Sequence, residues 1–117
     1  MDYTSKGKVE DIDYPKLIRK LYKGKRFRLA DSEKNFDPVR HDGLIYGKYQ
    51  CLCLRGESIE KVLSKTIPNF KMKDVVDFLL NKEALKHDRD KNTVKISTLP
   101  KNIGSRRFYA IWLNMLE

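Results

Sequence analysis

The sequence predicts an α+β fold, with three short helices packed on a small antiparallel sheet. Three observations predict it. Apolar residues recur at helical spacing in three separate segments. Other short runs alternate in polarity with the period of a strand or are apolar on both faces. The chain of 117 residues is 40% hydrophobic and 35% charged, enough to close one modest core and too apolar for global disorder.

The elements follow in order. Residues 1–11 are polar and of mixed charge, and read as a flexible lead-in. The first helix is expected over residues 14–22, where Leu17, Ile18 and Leu21 share a face. Asp13 suits its N-cap, Pro15 its first turn, and Gly24 its end. The basic stretch 23–28 follows, with Phe27 and Leu29 expected to pack inward as a short extended piece. Residues 31–42 hold turn formers without a clear period. A strand at 44–46, a Gly47-Lys48 turn and a strand at 49–54 make a hairpin, the second strand mostly buried because both its faces are apolar. Glu57 or Ser58 opens a second helix carrying Ile59, Val62 and Leu63, and Pro68 closes that segment. A third helix is expected over 71–80, striped by Met72, Val75, Val76, Leu79 and Leu80. A polar turn at 86–92 leads to an alternating strand at 93–98, a loop at 99–105 and a last strand at 106–113.

Helix, strand, helix, helix, strand, loop, strand is the order of a winged helix-turn-helix. In that arrangement three helices bury their stripes on one another and the sheet seals the open side. The second helix of the pair can enter a major groove, and the loop of the C-terminal hairpin, the wing, reaches the backbone. Residues 43–117 are the expected winged-helix core. Residues 1–42 are a lead-in whose helix and loop pack on it.

Charge points to the partner. The net charge is +9, and such a surplus on a small domain concentrates polyanions, of which nucleic acid is the commonest. Lys71 and Lys73 fall at the start of the candidate recognition helix, and Asn81 lies at its far end. Lys95, Lys101, Arg106 and Arg107 fall in or beside the wing, where Asn102 and Ser105 can donate to phosphate oxygens. These nine residues are the expected contacts to double-stranded DNA. Asp74 and Asp77 oppose them, because carboxylates in the middle of the helix repel phosphate. More of the contact is therefore expected from the wing and the helix start.

The segment 43–113 resembles the C-terminal winged-helix domain of self-loading AAA+ (MCM-like) replicative helicases of mobile genetic elements. The matching stretches are 49–54 (YQCLCL), 59–63 (IEKVL), 78–85 (FLLNKEAL), 93–96 (TVKI) and 106–111 (RRFYAI). The resemblance implies a domain that recognises origin DNA or grips duplex DNA next to an ATP-dependent motor. The chain departs from the family in lacking the Walker A pattern of a phosphate-binding loop. It is then either the C-terminal domain of a longer ATPase or a stand-alone relative.

Other function classes find less support. No apolar run approaches the ~20 residues of a membrane span, and residues 1–10 lack the apolar stretch of a signal peptide, so a cytoplasmic protein is expected. Cys51 and Cys53, two apart on a strand, face one way and read as buried thiols. Without a second cysteine pair no zinc site is expected, nor any other cofactor or small-molecule substrate. His41 with Asp37 and Asp42 is the one acid–base candidate, and it lacks a nucleophile, so no enzyme is expected. The alternative to DNA binding is a docking or dimerisation winged helix, or a transcriptional regulator domain. Phe27, Tyr46, Tyr109 and Trp112 would then line the interface, although Trp112 suits the core as well.

Overall fold

The computed structural model describes residues 12–116. The expected lead-in over 1–11 and the terminal Glu117 lie outside them. Helix α1 (Tyr14–Lys23) starts at Asp13, whose carboxylate accepts from the Lys16 N–H at 3.1 Å, with Pro15 in the first turn. It buries Tyr14, Ile18 and Leu21. It ends at Gly24, as expected, but the left-handed turn usual for a terminating glycine falls one residue later. Gly24 keeps a negative φ, and the left-handed residue is Lys25 (φ 58), which lets the Arg26 N–H reach the Leu21 carbonyl at 2.9 Å.

Strand β1 (Leu29–Ala30) and a 3₁₀ turn (Glu33–Asn35) precede β2 (Gly43–Tyr46) and β3 (Cys51–Leu54). Helices α2 (Gly56–Ser64) and α3 (Met72–Asn81) follow, then β4 (Leu85–Lys86), β5 (Val94–Ile96), β6 (Arg106–Trp112) and a closing 3₁₀ turn (Leu113–Leu116). The sheet runs β1-β2-β3-β6-β4. Strand β5 pairs with the first half of β6 and β4 with its second half.

The described residues thus form an α+β fold of three α-helices and a mixed sheet, not a purely antiparallel one. Residues 31–42 carry the chain back far enough for β1 to lie parallel to β2, pairing Leu29 with Gly43 and Ala30 with Leu44. The β2–β3 hairpin also corrects the expected two-residue turn. Tyr46 pairs with Cys51, so residues 47–50 all lie in the turn. Two successive bonds, Tyr49 N–H to Tyr46 O and Gln50 N–H to Gly47 O, both at 3.2 Å, close it, with Gln50 left-handed (φ 53). The strand expected over 93–98 is limited to Val94–Ile96, and β6 gives way to the 3₁₀ turn at Leu113. Gly43 is required by proximity, since a Cβ there would stand 1.9 Å from the Cys53 carbonyl oxygen.

Both faces of the sheet are covered, which explains the apolar character of β3 on both sides. Leu52, Leu54 and Ile111 face the helices, joining Ile18 and Leu21 of α1, Ile59 and Leu63 of α2, and Val75 and Leu79 of α3. Cys51, Cys53, Phe108 and Ala110 face the other way, together with Val94 and Ile96. Phe36 from the 31–42 segment and Leu99 from the 97–105 loop close this second core, and Phe36 meets Phe108 edge-on at 5.2 Å. No helix among the described residues is long and apolar enough to cross a membrane.

Candidate nucleic-acid interface

The site residues expected from the sequence divide into groups once the sheet is in place. The start of α3 meets the sheet at Gly56. A Cβ on that glycine would lie 3.1 Å from the Tyr109 ring and 4.0 Å from the Met72 methyl, so α2, α3 and β6 converge there. Alternation along β6 puts Arg107 on the same face as Tyr109, and Arg107 is the strand partner of Lys95. Lys71, just before α3, and Lys95 are both exposed. Basic side chains of the β5–β6 hairpin therefore share the helix-bearing face of the sheet with the start of α3.

The remaining expected residues are placed differently. Arg106 is exposed on the opposite face of β6, across from buried Ile96. Lys101, Asn102 and Ser105 are exposed on the 97–105 loop, which Leu99 and Ile103 pin to the second core. Asn81 closes α3 eight residues beyond Lys73, about 12 Å along the axis, and shares a helical face with Asp74 and Asp77.

Two of the expected cations already have carboxylate partners. Lys73 Nζ sits 2.5 Å from Asp77 Oδ2, one helical turn away. The hydrogen bond that Lys73 donates to that carboxylate, then the carboxylate's charge, raises the Lys73 pKa. Arg107 is half-buried. It bonds the Asp88 carboxylate and also donates to the Thr93 hydroxyl at 2.8 Å and the Thr93 carbonyl at 2.9 Å. Arg107 thereby ties the 87–93 loop to β6. Lys71, Lys95, Lys101 and Arg106 have no carboxylate within salt-bridge distance among the described residues. The ten residues of α3 carry Lys73 against Asp74 and Asp77, a net charge of −1. The cationic part of this surface is thus the helix start and the hairpin. The Lys73–Asp77 pairing was open to inference from its spacing of four. The Arg107–Asp88 pairing, across 19 residues, carries no local signal.

The acid–base candidates are occupied structurally. His41 Nδ1 accepts the Asp37 backbone N–H at 3.1 Å. Asp42 is buried and accepts from the Arg28 N–H at 2.7 Å, the Arg28 guanidinium at 3.3 Å and the Ser58 hydroxyl at 2.9 Å. Burial alone would raise its pKa. The Arg28 backbone N–H, the guanidinium bond, Ser58 and the Arg28 charge together outweigh burial and hold it below the usual carboxylate value. Cys51 and Cys53 are free and buried, and burial, the largest cause, pushes them up to about 11 and about 12. No group of three His, Cys, Asp or Glu side chains able to hold a metal occurs among the described residues. Phe27 and Tyr46 are buried, while Tyr109 and Trp112 are half-buried against the two cores.

No family model, curated protein or solved structure matches the chain.

Proposed function

We propose that this chain is a winged-helix module that binds duplex DNA and performs no catalysis itself. One observation carries the reading. The α2–α3 pair leaves the sheet after β3 and returns through β4, and β6 comes back between β3 and β4, so that the β5–β6 hairpin flanks the start of α3. That arrangement supports the winged-helix reading, in which a helix is offered to a major groove and a hairpin to the adjoining backbone. In this reading α3 is the recognition helix, and the 97–105 loop is a short wing held down by Leu99. Lys71 and Lys95 on the helix-bearing face, and Lys101 and Arg106 at the loop end of the hairpin, none with a carboxylate partner among the described residues, contact phosphates, which position a protein on DNA without reading sequence. Asp74, Asp77 and Asn81 line the outward face of α3, where carboxylates accept from cytosine amino groups and Asn pairs with adenine. The helicase resemblance makes an AAA+ motor the natural neighbour of such a module.

The test is fluorescence anisotropy with a labelled duplex over a range of salt. Wild-type affinity is expected to fall steeply with salt. Replacing Lys71, Lys95, Lys101 and Arg106 together by Gln is expected to reduce the slope of log K against log salt by about 3.6, or about 0.9 per lost phosphate contact. Absence of binding to duplex, single-stranded DNA and RNA at 50 mM salt would refute the function. Binding with an unchanged slope in the variant would refute this surface.

A further inference from the structure

The charge surplus is not centred on α3 and the hairpin. Residues 16–28 hold seven Lys and Arg and no Asp or Glu, against a net charge of +9 for the whole chain. Lys16, Arg19, Lys20 and Lys23 recur at the spacing of one helical face, and all four are exposed, lining a shallow depression on α1. None has a salt-bridge partner among the described residues. A merely solvated helix face usually mixes signs, so that neighbours one turn apart attract. Here every such neighbour repels.

The stripe continues at both ends. Lys16 and Arg19 also line a depression with Lys82, the residue after α3. At the other end Lys23 shares a depression with Lys25 and Arg28. Arg28 then joins Arg26, Lys61 and Lys65 around a cleft of about 200 Å³ between the 24–28 segment and α2. Each depression shares a cation with the next, which makes one continuous track. Among the described residues three carboxylates touch it. Asp13 caps α1, Asp42 is engaged by Arg28 and Ser58, and Asp31 stands at the edge.

We infer that this track is a second DNA-backbone contact surface, additional to the α3–hairpin surface and independent of sequence. The inference rests on the reading of the chain as a duplex-DNA binder. Charge complementarity selects a polyanion. Among the described residues the aromatics lining the track are Phe27, which is buried, and Tyr22, which is half-buried, and neither offers an exposed platform for stacking unpaired bases. Among the described residues the exposed large hydrophobic side chain is Val39, which does not line the track, so nothing on it inserts into a lipid surface. A duplex presents its phosphates outward and needs neither feature.

The experiment uses the full chain, a labelled duplex of arbitrary sequence, and anisotropy between 50 and 200 mM salt. The first variant replaces Lys16, Arg19, Lys20 and Lys23 by Gln, a good helix former on an exposed face. Loss of four phosphate contacts is expected to lower the salt slope by about 3.6. Over this fourfold salt range the variant's affinity should then fall about 150-fold less than wild type's. A second variant, Arg26, Lys61 and Lys65 to Gln, leaves α1 intact. It should lower the slope by about 2.7. Wild-type binding with both slopes unchanged overturns the track and leaves the proposed function standing. Reduced slopes here beside an unchanged slope in the α3–hairpin variant support the track and overturn the other surface. Absence of wild-type binding overturns both.

Discussion

Asp42 is the side chain on which the join between the 24–28 segment, β2 and α2 depends, and its replacement by Asn can be worked through. The carboxylate is 6% exposed and receives three donors from two partners, Arg28 and Ser58. An Asn side chain can keep its oxygen on the Arg28 N–H, and the Ser58 hydroxyl can turn to accept from the new amide. The guanidinium of Arg28 then faces an NH₂ group and loses a charge-assisted bond. Because that side chain is 55% exposed, water recovers part of the loss. The expected cost is about 2 kcal/mol, at the lower end for a bond to a charged group. Asp42→Ala leaves the buried Ser58 hydroxyl and the part-buried Arg28 N–H without their acceptor, and is expected to cost about 3 kcal/mol, from 1–3 kcal/mol for each with the Arg28 N–H at the low end. Urea unfolding at pH 7 gives both numbers. The sign of the pH dependence follows from the lowered folded pKa of Asp42. Its contribution is fully present above the unfolded value of about 3.9 and is lost as pH falls through the folded pKa. The gap between wild type and Asp42→Asn should therefore be constant from pH 7 to about 5 and narrow below about 4. A gap under about 0.5 kcal/mol at pH 7, or one that acid does not narrow, would refute the assignment of the carboxylate as an ionised staple.

Other outcomes follow from the same structure. Arg106→Ala and Arg107→Ala remove the same charge, yet Arg107→Ala should destabilise by about 1–2 kcal/mol through its lost bonds to Asp88 and Thr93, while Arg106→Ala should leave stability within about 0.5 kcal/mol. Thermal melts, with anisotropy alongside, separate the two, and Arg106→Ala should weaken duplex binding more. Glu83 is left-handed (φ 54) just past α3, where the Ala84 N–H reaches the Leu79 carbonyl at 2.9 Å. Glu83→Gly should therefore stabilise by about 0.5–1 kcal/mol, measured by urea unfolding. At pH 8 an aromatic disulfide reagent should label neither Cys51 nor Cys53 in the native protein and both after unfolding, since each thiol is buried with its pKa pushed up to about 11 or about 12.

The helices were legible in the sequence because each buries one stripe. Ile18 and Leu21, or Val75, Val76 and Leu79, state their partner face by spacing alone. The two-residue strands β1 and β4 were not, because two residues carry no period and are extended only by virtue of β2 and β6. What covers the sheet's second face was hidden for a related reason. The two apolar faces of β3 call for cover on both sides, but Phe36 and Leu99 are single apolar residues in polar loops, and nothing local marks them as that cover. After α1 and in the β2–β3 turn the left-handed positions fell on Lys25 and Gln50 rather than on Gly24 and Gly47, so those two glycine signals pointed one or more residues away from the actual bends. At the candidate interface the placement of cations could be read from the sequence. Their availability could not, because it depends on carboxylates such as Asp88 that reach the site only through the fold.

Strand β6 has a consequence for how the chain acquires its structure. Its alternate side chains supply both cores, and it is the shared neighbour of β3, β4 and β5. Its partners in β3 lie more than fifty residues earlier, as in the pairing of Cys51 with Trp112. Contacts of such separation form late and slowly. A chain cut before Arg106 would retain all three helices but leave two apolar layers without the strand that separates them. During synthesis this fold therefore stays incomplete until residues 106–112 are free to enter the sheet, and its folding should register as one event that follows their emergence rather than as helices docking in turn.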